Sequence, residues 1–195
     1  MRGANQMLRL KFETNEIKRL ERGYLGRQRV KYTRDAKQAD EMAKDAGTKI
    51  RNGEPTKETL KEIFRWKNAS SRFYARLEGL FDSNTHEFVT AVLKRVRIVD
   101  AGEDAGNAVA KFLKLEGVGV PTASAFLANI YPKQFTVIDE LALRALGVDN
   151  QEIAFYLYYN DECSRLAKEN KVSNRTLDRA LWEWGKTNPP RRTRR

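Results

Sequence analysis

Two glycines separated by a single residue, Gly117 and Gly119, interrupt a chain whose apolar residues otherwise recur at helical spacing. Glycine permits positive φ angles and close backbone approach. Pro121 suits the first turn of a helix, because the N–H that it lacks would have no partner there. Small residues at positions 123–125 allow that helix to pack closely on the one before it. The sequence therefore predicts a tight hairpin between two helices.

Apolar spacings of three and four predict helices along most of the chain. The first predicted helices cover residues 34–52 and a stretch that Thr56 caps. A third begins at Phe73 and is stopped by Gly79 and residues 82–84, and a fourth is capped by Asn84 or Thr85 and has Phe88 on its inner face. After a turn at 100–107, further helices are predicted at residues 108–115, about 150–170, and 174–186. Only residues 135–138 could form a short extended piece. The predicted class is therefore all-α.

The domain organisation follows from charge and packing residues. Residues 1–33 form a basic arm, 34–187 form one helical domain, and 188–195 form a basic tail without packing residues that we expect to be disordered. The arm either packs on the core with a basic face, which its apolar residues favour, or follows phosphates as a mobile segment. Both interpretations give it a cationic surface.

The charge balance restricts the partners. The net charge of +11 favours a polyanion such as nucleic acid, although a basic protein without such a partner has the same composition. The single Cys163 excludes disulfide frameworks and four-cysteine clusters. Lone His86 has no second ligand at metal spacing. No apolar run reaches the roughly 18 residues of a membrane helix, so we expect a cytoplasmic protein. With a nucleic-acid partner it would be nucleoid-associated, and we expect it to be a monomer.

Two local features could carry chemistry. Amides between Gly117 and Val120 can point outward together at a helix N-terminus, which makes an anion site suited to a phosphate. The alternative is a tight turn without a ligand. Asp139 opens a later helix, where aspartate is a favoured N-cap. Capping and catalysis can coexist there, because the cap fixes the position of the carboxylate.

The spacing of these features resembles a known superfamily. Residues 115–119, the Thr122-Ala123 pair, the loop at Pro132, and Asp139, 20 residues after Gly119, resemble the helix-hairpin-helix (HhH-GPD) DNA glycosylases typified by endonuclease III. The similarity covers residues 111–146, and elsewhere only helical pattern and size agree. It implies a two-lobed all-α fold with a cleft and a helix-hairpin-helix motif at about 106–130.

The resemblance also implies roles for individual residues. A DNA phosphate would bind at the hairpin, whose contact set is Gly117, Val118, Gly119, Val120 and Thr122. A structural monovalent cation, K⁺ or Na⁺, would bind the backbone carbonyls of Leu113, Leu115 and Val118. The carboxylate of Asp139 would face the sugar of a flipped nucleotide, stabilise the oxocarbenium-like sugar, and orient or deprotonate water.

Three departures from the family pattern refine the expectation. Pro121 stands where bifunctional members carry a nucleophilic lysine, which implies a monofunctional enzyme without AP-lyase activity. Glu116 replaces the usual hairpin proline and brings a carboxylate close to the phosphate site. The C-terminal four-cysteine cluster is missing, so no iron–sulfur cluster and no other required cofactor is expected.

Other candidate contacts come from aromatic and basic residues. Trp66, Lys67 and Arg72 form a candidate DNA contact, with Trp66 equally suited to the core. Tyr156, Tyr159 and Trp184 are candidates for a base pocket, with the core as the alternative. The expected function is excision of a modified base, whether alkylated, oxidised or deaminated, from double-stranded DNA.

That activity would serve base excision repair, or prokaryotic or phage-related defence against modified phage DNA. The alternatives are a non-catalytic helix-hairpin-helix DNA-binding protein and, third, a protein-interaction domain.

Overall fold

A computed structural model of the chain describes residues 8–27, 35–69, 71–96 and 105–189. All regular structure in these ranges is helical, which confirms the predicted all-α class. After a 3₁₀ turn at Thr14–Glu16, the helices are α1 (Ile17–Leu25), α2 (Ala36–Asn52), α3 (Lys57–Asn68), α4 (Tyr74–Ser83), α5 (His86–Val96), α6 (Ala105–Phe112), α7 (Val120–Ile130), α8 (Glu140–Leu146), α9 (Ile153–Glu169) and α10 (Asn174–Thr187). Over the same ranges, none of the helices has the length and apolarity that crossing a bilayer requires.

Several helix ends lie where the sequence predicts them, because local capping determines them. Helix α2 ends at Gly53, whose φ of 111° lies in the left-handed region. Thr56 caps α3, and its hydroxyl and that of Thr59 form a reciprocal capping box. Ser173 caps α10 by accepting a hydrogen bond from the amide of Thr176 at 3.0 Å.

Other predicted details are wrong. Gly79 lies within α4 rather than ending it, since an exposed glycine costs a helix only about 1 kcal/mol. Helix α6 begins at Ala105, inside the stretch predicted as a turn. Phe88 was expected inside but is 42% exposed, because the neighbouring valines and Leu93 occupy the buried face of α5. Helix α9 begins at Ile153, after residues 150–152.

Helix α7 lies at the centre of the molecule. All of its residues from Thr122 to Ile130 are buried, and it packs against α2, α3 and α6. Close packing is possible because Gly47 of α2 lies against its backbone. A Cβ atom at Gly47 would stand 2.1 Å from the carbonyl oxygen of Asn129.

The two ends of the described chain meet in a second group of helices. Helix α1 packs on α10, which also packs on α8 and α9. Residues 8–27 are therefore packed against the body. Residues 1–7, 28–33 and 190–195 of the predicted arm and tail lie outside the described ranges. The candidate site lies where this group meets α3 and α7.

Candidate active site and nucleic-acid interface

The loop between α6 and α7 forms a tight hairpin. Gly117 has a φ of 77°, and a Cβ atom there would lie 2.7 Å from the carbonyl oxygen of Leu77 in α4. The side-chain amide of Asn84 accepts a hydrogen bond from the Glu116 N–H at 3.0 Å and donates one to its carbonyl at 3.1 Å. The hairpin is thus fixed onto α4, while the Glu116 side chain is exposed.

Three hairpin amides, those of Gly117, Gly119 and Val120, have no acceptor among the described residues. Gly119 caps α7 with its carbonyl, which accepts from the Thr122 and Ala123 amides at 3.0 and 2.9 Å. Hydrogen-bond donors without an acceptor among the described residues therefore lie at the positive, N-terminal end of the α7 dipole. These are the amides that the resemblance assigns to a phosphate.

Val118 differs from its neighbours. Its amide donates to the carbonyl of Leu115 at 3.2 Å, and its side chain is buried. Val118 therefore closes the turn and contributes no free amide. The cation site at the carbonyls of Leu113, Leu115 and Val118 stays a prediction.

We expect Gly117→Ala to lower the free energy of unfolding by about 1–3 kcal/mol, because alanine is strained at positive φ and its Cβ would contact the α4 backbone. Gly119→Ala is the matched control. Its φ is −99°, and the nearest atom to an added Cβ is the Pro121 Cδ at 3.8 Å. Urea unfolding of both variants checks this. Equal stability of the two would contradict the hairpin geometry described here.

Asp139 opens α8 as predicted, and both of its carboxylate oxygens are engaged. Oδ1 accepts a hydrogen bond from the amide of Ala142 at 2.8 Å, and Oδ2 lies 3.1 Å from the Nζ of Lys67. The Lys67 Nζ also donates to the carbonyl of Ile138 at 3.3 Å. Side-chain exposure is 20% for Asp139 and 9% for Lys67. The Asp139 carboxylate is therefore fixed in position, and part of the side chain remains accessible to solvent.

One side chain joins the acid to the helix that follows the hairpin. The Ser124 hydroxyl donates to the carbonyl of Pro121 at 2.8 Å and accepts from the amide of Ile138 at 3.1 Å. Ile138 directly precedes Asp139. The two features that the sequence separates by 20 residues are therefore linked through Ser124, and they lie in one region of the molecule.

Tyr156 and Tyr159 lie in the core and contact the segment that precedes Asp139, so they do not line a pocket. Both are fully buried, and their hydroxyls donate to the carbonyls of Thr136 at 3.0 Å and Val137 at 2.9 Å. The side chain of Asn160 accepts from the Thr136 amide at 2.9 Å. The predicted pocket role is thus corrected, because the two phenol groups hold the non-helical segment before Asp139.

The remaining candidates also have partners within the protein. The half-buried Trp66 donates from its indole N–H to Asp40 at 2.7 Å, and the Arg175 guanidinium lies 4.3 Å from the centre of its ring. Trp184 stacks on Phe12. Thr122 is 5% exposed, so its side chain lies inside, contrary to the contact expected of it.

Arg72 differs from these residues because it is exposed. Its guanidinium lies 4.6 Å from the centre of the Phe73 ring, and the Phe73 side chain is itself exposed.

Asp178 of α10 is a further buried acid near the Lys67–Asp139 pair. Its carboxylate accepts from Arg175 at 2.9 Å. Burial raises its pKa to about 7, and the negative charges of Asp139 and Asp40 add to that rise, whereas the cations Arg175 and Lys67 oppose it. Nothing in the sequence distinguishes Asp178 from a surface acid, since its burial depends on tertiary packing.

The raised pKa predicts a stability change with pH. The folded state binds the Asp178 proton more tightly than the unfolded chain, so this contribution is complete below about pH 4 and is lost as the pH rises towards 7. We expect Asp178→Asn to lack this part of the pH dependence, measured by urea unfolding at pH 5 and pH 8. The exposed Asp161→Asn serves as control. The same pH dependence in Asp178→Asn and the unmodified protein would contradict the assignment.

Comparison of the chain with protein-family models, curated proteins and solved structures finds no match.

Proposed function

We propose that this chain is a DNA glycosylase of the helix-hairpin-helix kind. It would flip a modified base out of double-stranded DNA and hydrolyse the N-glycosidic bond, leaving an abasic site. The observation that carries the proposal is the fixed carboxylate of Asp139, joined through Ser124 to the helix that starts at the hairpin. The two groups of helices that meet there would form the two lobes.

The hairpin would hold one phosphate of the damaged strand. Three amides without an acceptor among the described residues lie in the hairpin and at the N-terminal end of α7, and the excess of lysine and arginine supplies longer-range attraction. The Glu116 carboxylate is exposed, where solvent and salt screen its repulsion of the phosphate. Binding should therefore weaken as the salt concentration rises.

The carboxylate of Asp139 would act on the flipped nucleotide. As the bond between C1′ and the base breaks, positive charge develops on the sugar, and a fixed anion stabilises it without reorganising. Water then attacks C1′ and gives up a proton, which Asp139 can accept. The N-cap hydrogen bond keeps one oxygen directed along α8, so the carboxylate needs no ordering during the reaction.

The hairpin offers no amine for a covalent intermediate, because position 121 is proline. The Lys67 amine beside Asp139 is held as an ammonium by the Asp139 carboxylate and the Ile138 carbonyl, and an ammonium has no lone pair for attack. Water is accordingly the proposed nucleophile, and strand cleavage should require alkali. The test is a panel of duplexes with alkylated, oxidised, deaminated or phage-type modified bases, each analysed with and without alkali. Breaks only after alkali support a monofunctional glycosylase, and a cross-link trapped by borohydride would contradict that part.

The pairing of Asp139 with Lys67 favours a second candidate function. A carboxylate neutralised by an ammonium group is a less effective catalyst, which suits a non-catalytic DNA-binding protein that uses only the hairpin. That function predicts salt-sensitive duplex binding, no abasic product from any substrate, and no effect of Asp139→Asn on affinity. The same duplex panel therefore distinguishes the two.

A further inference from the structure

We propose that Lys67 makes the site selective for uncharged modified bases, which leave the sugar as anions, over N-alkylated purines that carry a positive charge. The inference rests on the proposed glycosylase function and narrows its substrate class. Deaminated, oxidised and neutral bulky bases belong to the favoured class. Purines alkylated at N3 or N7 belong to the excluded class.

The position of Lys67 carries the inference. Its ammonium group lies 3.1 Å from the Oδ2 of Asp139, and only 9% of the side chain is exposed. If Asp139 faces C1′, this ammonium lies within a few ångström of the bond that breaks. A charge so weakly exposed to water is poorly screened, so it acts strongly on charge that develops nearby.

The chemistry of the leaving base decides between the classes. When an uncharged base leaves, the electron pair of the C1′–N bond moves onto the base, which becomes an anion. Lys67 can stabilise that anion and donate a proton to it. The water that forms the new C1′–O bond transfers its proton to Asp139, so charge and protons balance. A cationic purine leaves as a neutral molecule and gains nothing from a nearby cation.

Electrostatics also disfavours a cationic base in the ground state. Asp139 alone would attract it, but the Lys67–Asp139 pair has no net charge, and the ammonium repels a second cation. The neighbouring Asp178, whose raised pKa leaves it partly protonated at neutral pH, accepts a hydrogen bond from Arg175. Among the described residues, Asp139 and Asp178 are therefore each paired with a cation, and neither is an unpaired anion that would attract a positively charged base.

Cationic bases are also held well by stacked aromatic rings. The aromatic candidates are already engaged in this protein: Arg175 covers one face of Trp66, and Tyr156 and Tyr159 are fully buried. Trp184 is stacked on Phe12. Tyr156 and Tyr159 therefore offer no face to a flipped base, and Trp66 and Trp184 each already hold a partner of their own.

The experiment compares release of uracil, 5-fluorouracil, hypoxanthine and 8-oxoguanine with release of 3-methyladenine and 7-methylguanine from otherwise identical duplexes. The variants are Lys67→Gln, Lys67→Arg and, as control, Lys61→Gln, whose lysine lies on the same helix and pairs with Asp82 on the surface. Thermal unfolding shows that each variant folds. Lys67→Arg keeps a positive charge if glutamine disturbs the fold.

We expect the unmodified protein to release neutral bases and to leave cationic purines intact. Lys67→Gln should lower release of a neutral base by about 10²-fold, with the larger loss for uracil than for 5-fluorouracil, which is the more stable anion. Lys67→Arg should recover part of the rate, and Lys61→Gln should retain it.

Preferential release of cationic purines, or an equal loss on both classes in Lys67→Gln, would overturn the inference and leave the glycosylase proposal intact. No base release from any duplex would overturn both.

Discussion

Asp139→Asn is expected to lower the rate of base release by about 10²–10³-fold, the loss typical when one preorganised electrostatic group is removed from a catalytic site. Asparagine has almost the same shape but carries no negative charge to stabilise the sugar cation. It also cannot accept the proton of the attacking water. The measurement is a single-turnover rate on the best substrate of the duplex panel.

The fold should survive this substitution with some loss of stability, because the weakly exposed Lys67 ammonium loses its carboxylate partner, and thermal unfolding of the variant measures that loss. Asparagine is as good an N-cap as aspartate, so the hydrogen bond to the amide of Ala142 should persist, and the Lys67 ammonium keeps the carbonyl of Ile138. The exposed Asp149→Asn, just beyond α8, controls for loss of charge. Full activity in Asp139→Asn, or an equal loss in both variants, would exclude Asp139 as the catalytic carboxylate.

Asp40→Ala should lower the free energy of unfolding by about 3–5 kcal/mol, since it leaves buried cations without their partner. Asp40 is 3% exposed. Its carboxylate accepts hydrogen bonds from the Tyr24 hydroxyl at 2.8 Å, the Trp66 indole at 2.7 Å and Arg179 at 2.8 Å. Arg175 lies 3.0 Å away.

The charge state of Asp40 supports this expectation. Burial alone would raise the pKa of the carboxyl, but the charges of Arg175 and Arg179 hold that pKa below its ordinary value. The group is therefore an anion at neutral pH and joins α2 to α10. Urea unfolding of Asp40→Ala and of the exposed Asp45→Ala on the same helix measures the effect. Similar losses in the two variants would show that the network contributes little.

The hairpin and the start of α8 could be predicted because each depends on residues adjacent in sequence. Gly117 must adopt positive φ to turn, and Asp139 caps the helix that it precedes. Both signals are local. The 20-residue spacing between Gly119 and Asp139 suggests a common site only because it resembles the spacing in the glycosylase family. The contact through Ser124 is a tertiary feature, because serine at position 124 is otherwise one more small residue of α7.

The role of Lys67 could not be predicted, since 72 residues separate it from Asp139. In the sequence it lies among basic and aromatic residues that suggest a DNA-binding surface, but helix packing turns it inward. The burial of Tyr156 and Tyr159 could not be predicted for the same reason. A cluster of aromatic residues in a sequence indicates a core as readily as a base pocket, and only the tertiary contacts of the two hydroxyls with the segment before Asp139 distinguish them.

We propose above that the chain releases a base from DNA through Asp139. The most direct measurement is chromatographic detection of free base from duplexes with a single modified base, incubated in parallel with the unmodified protein and Asp139→Asn. We predict free base and an equal amount of abasic DNA with the unmodified protein, and almost none with the variant. Tight duplex binding without free base from any substrate would contradict it.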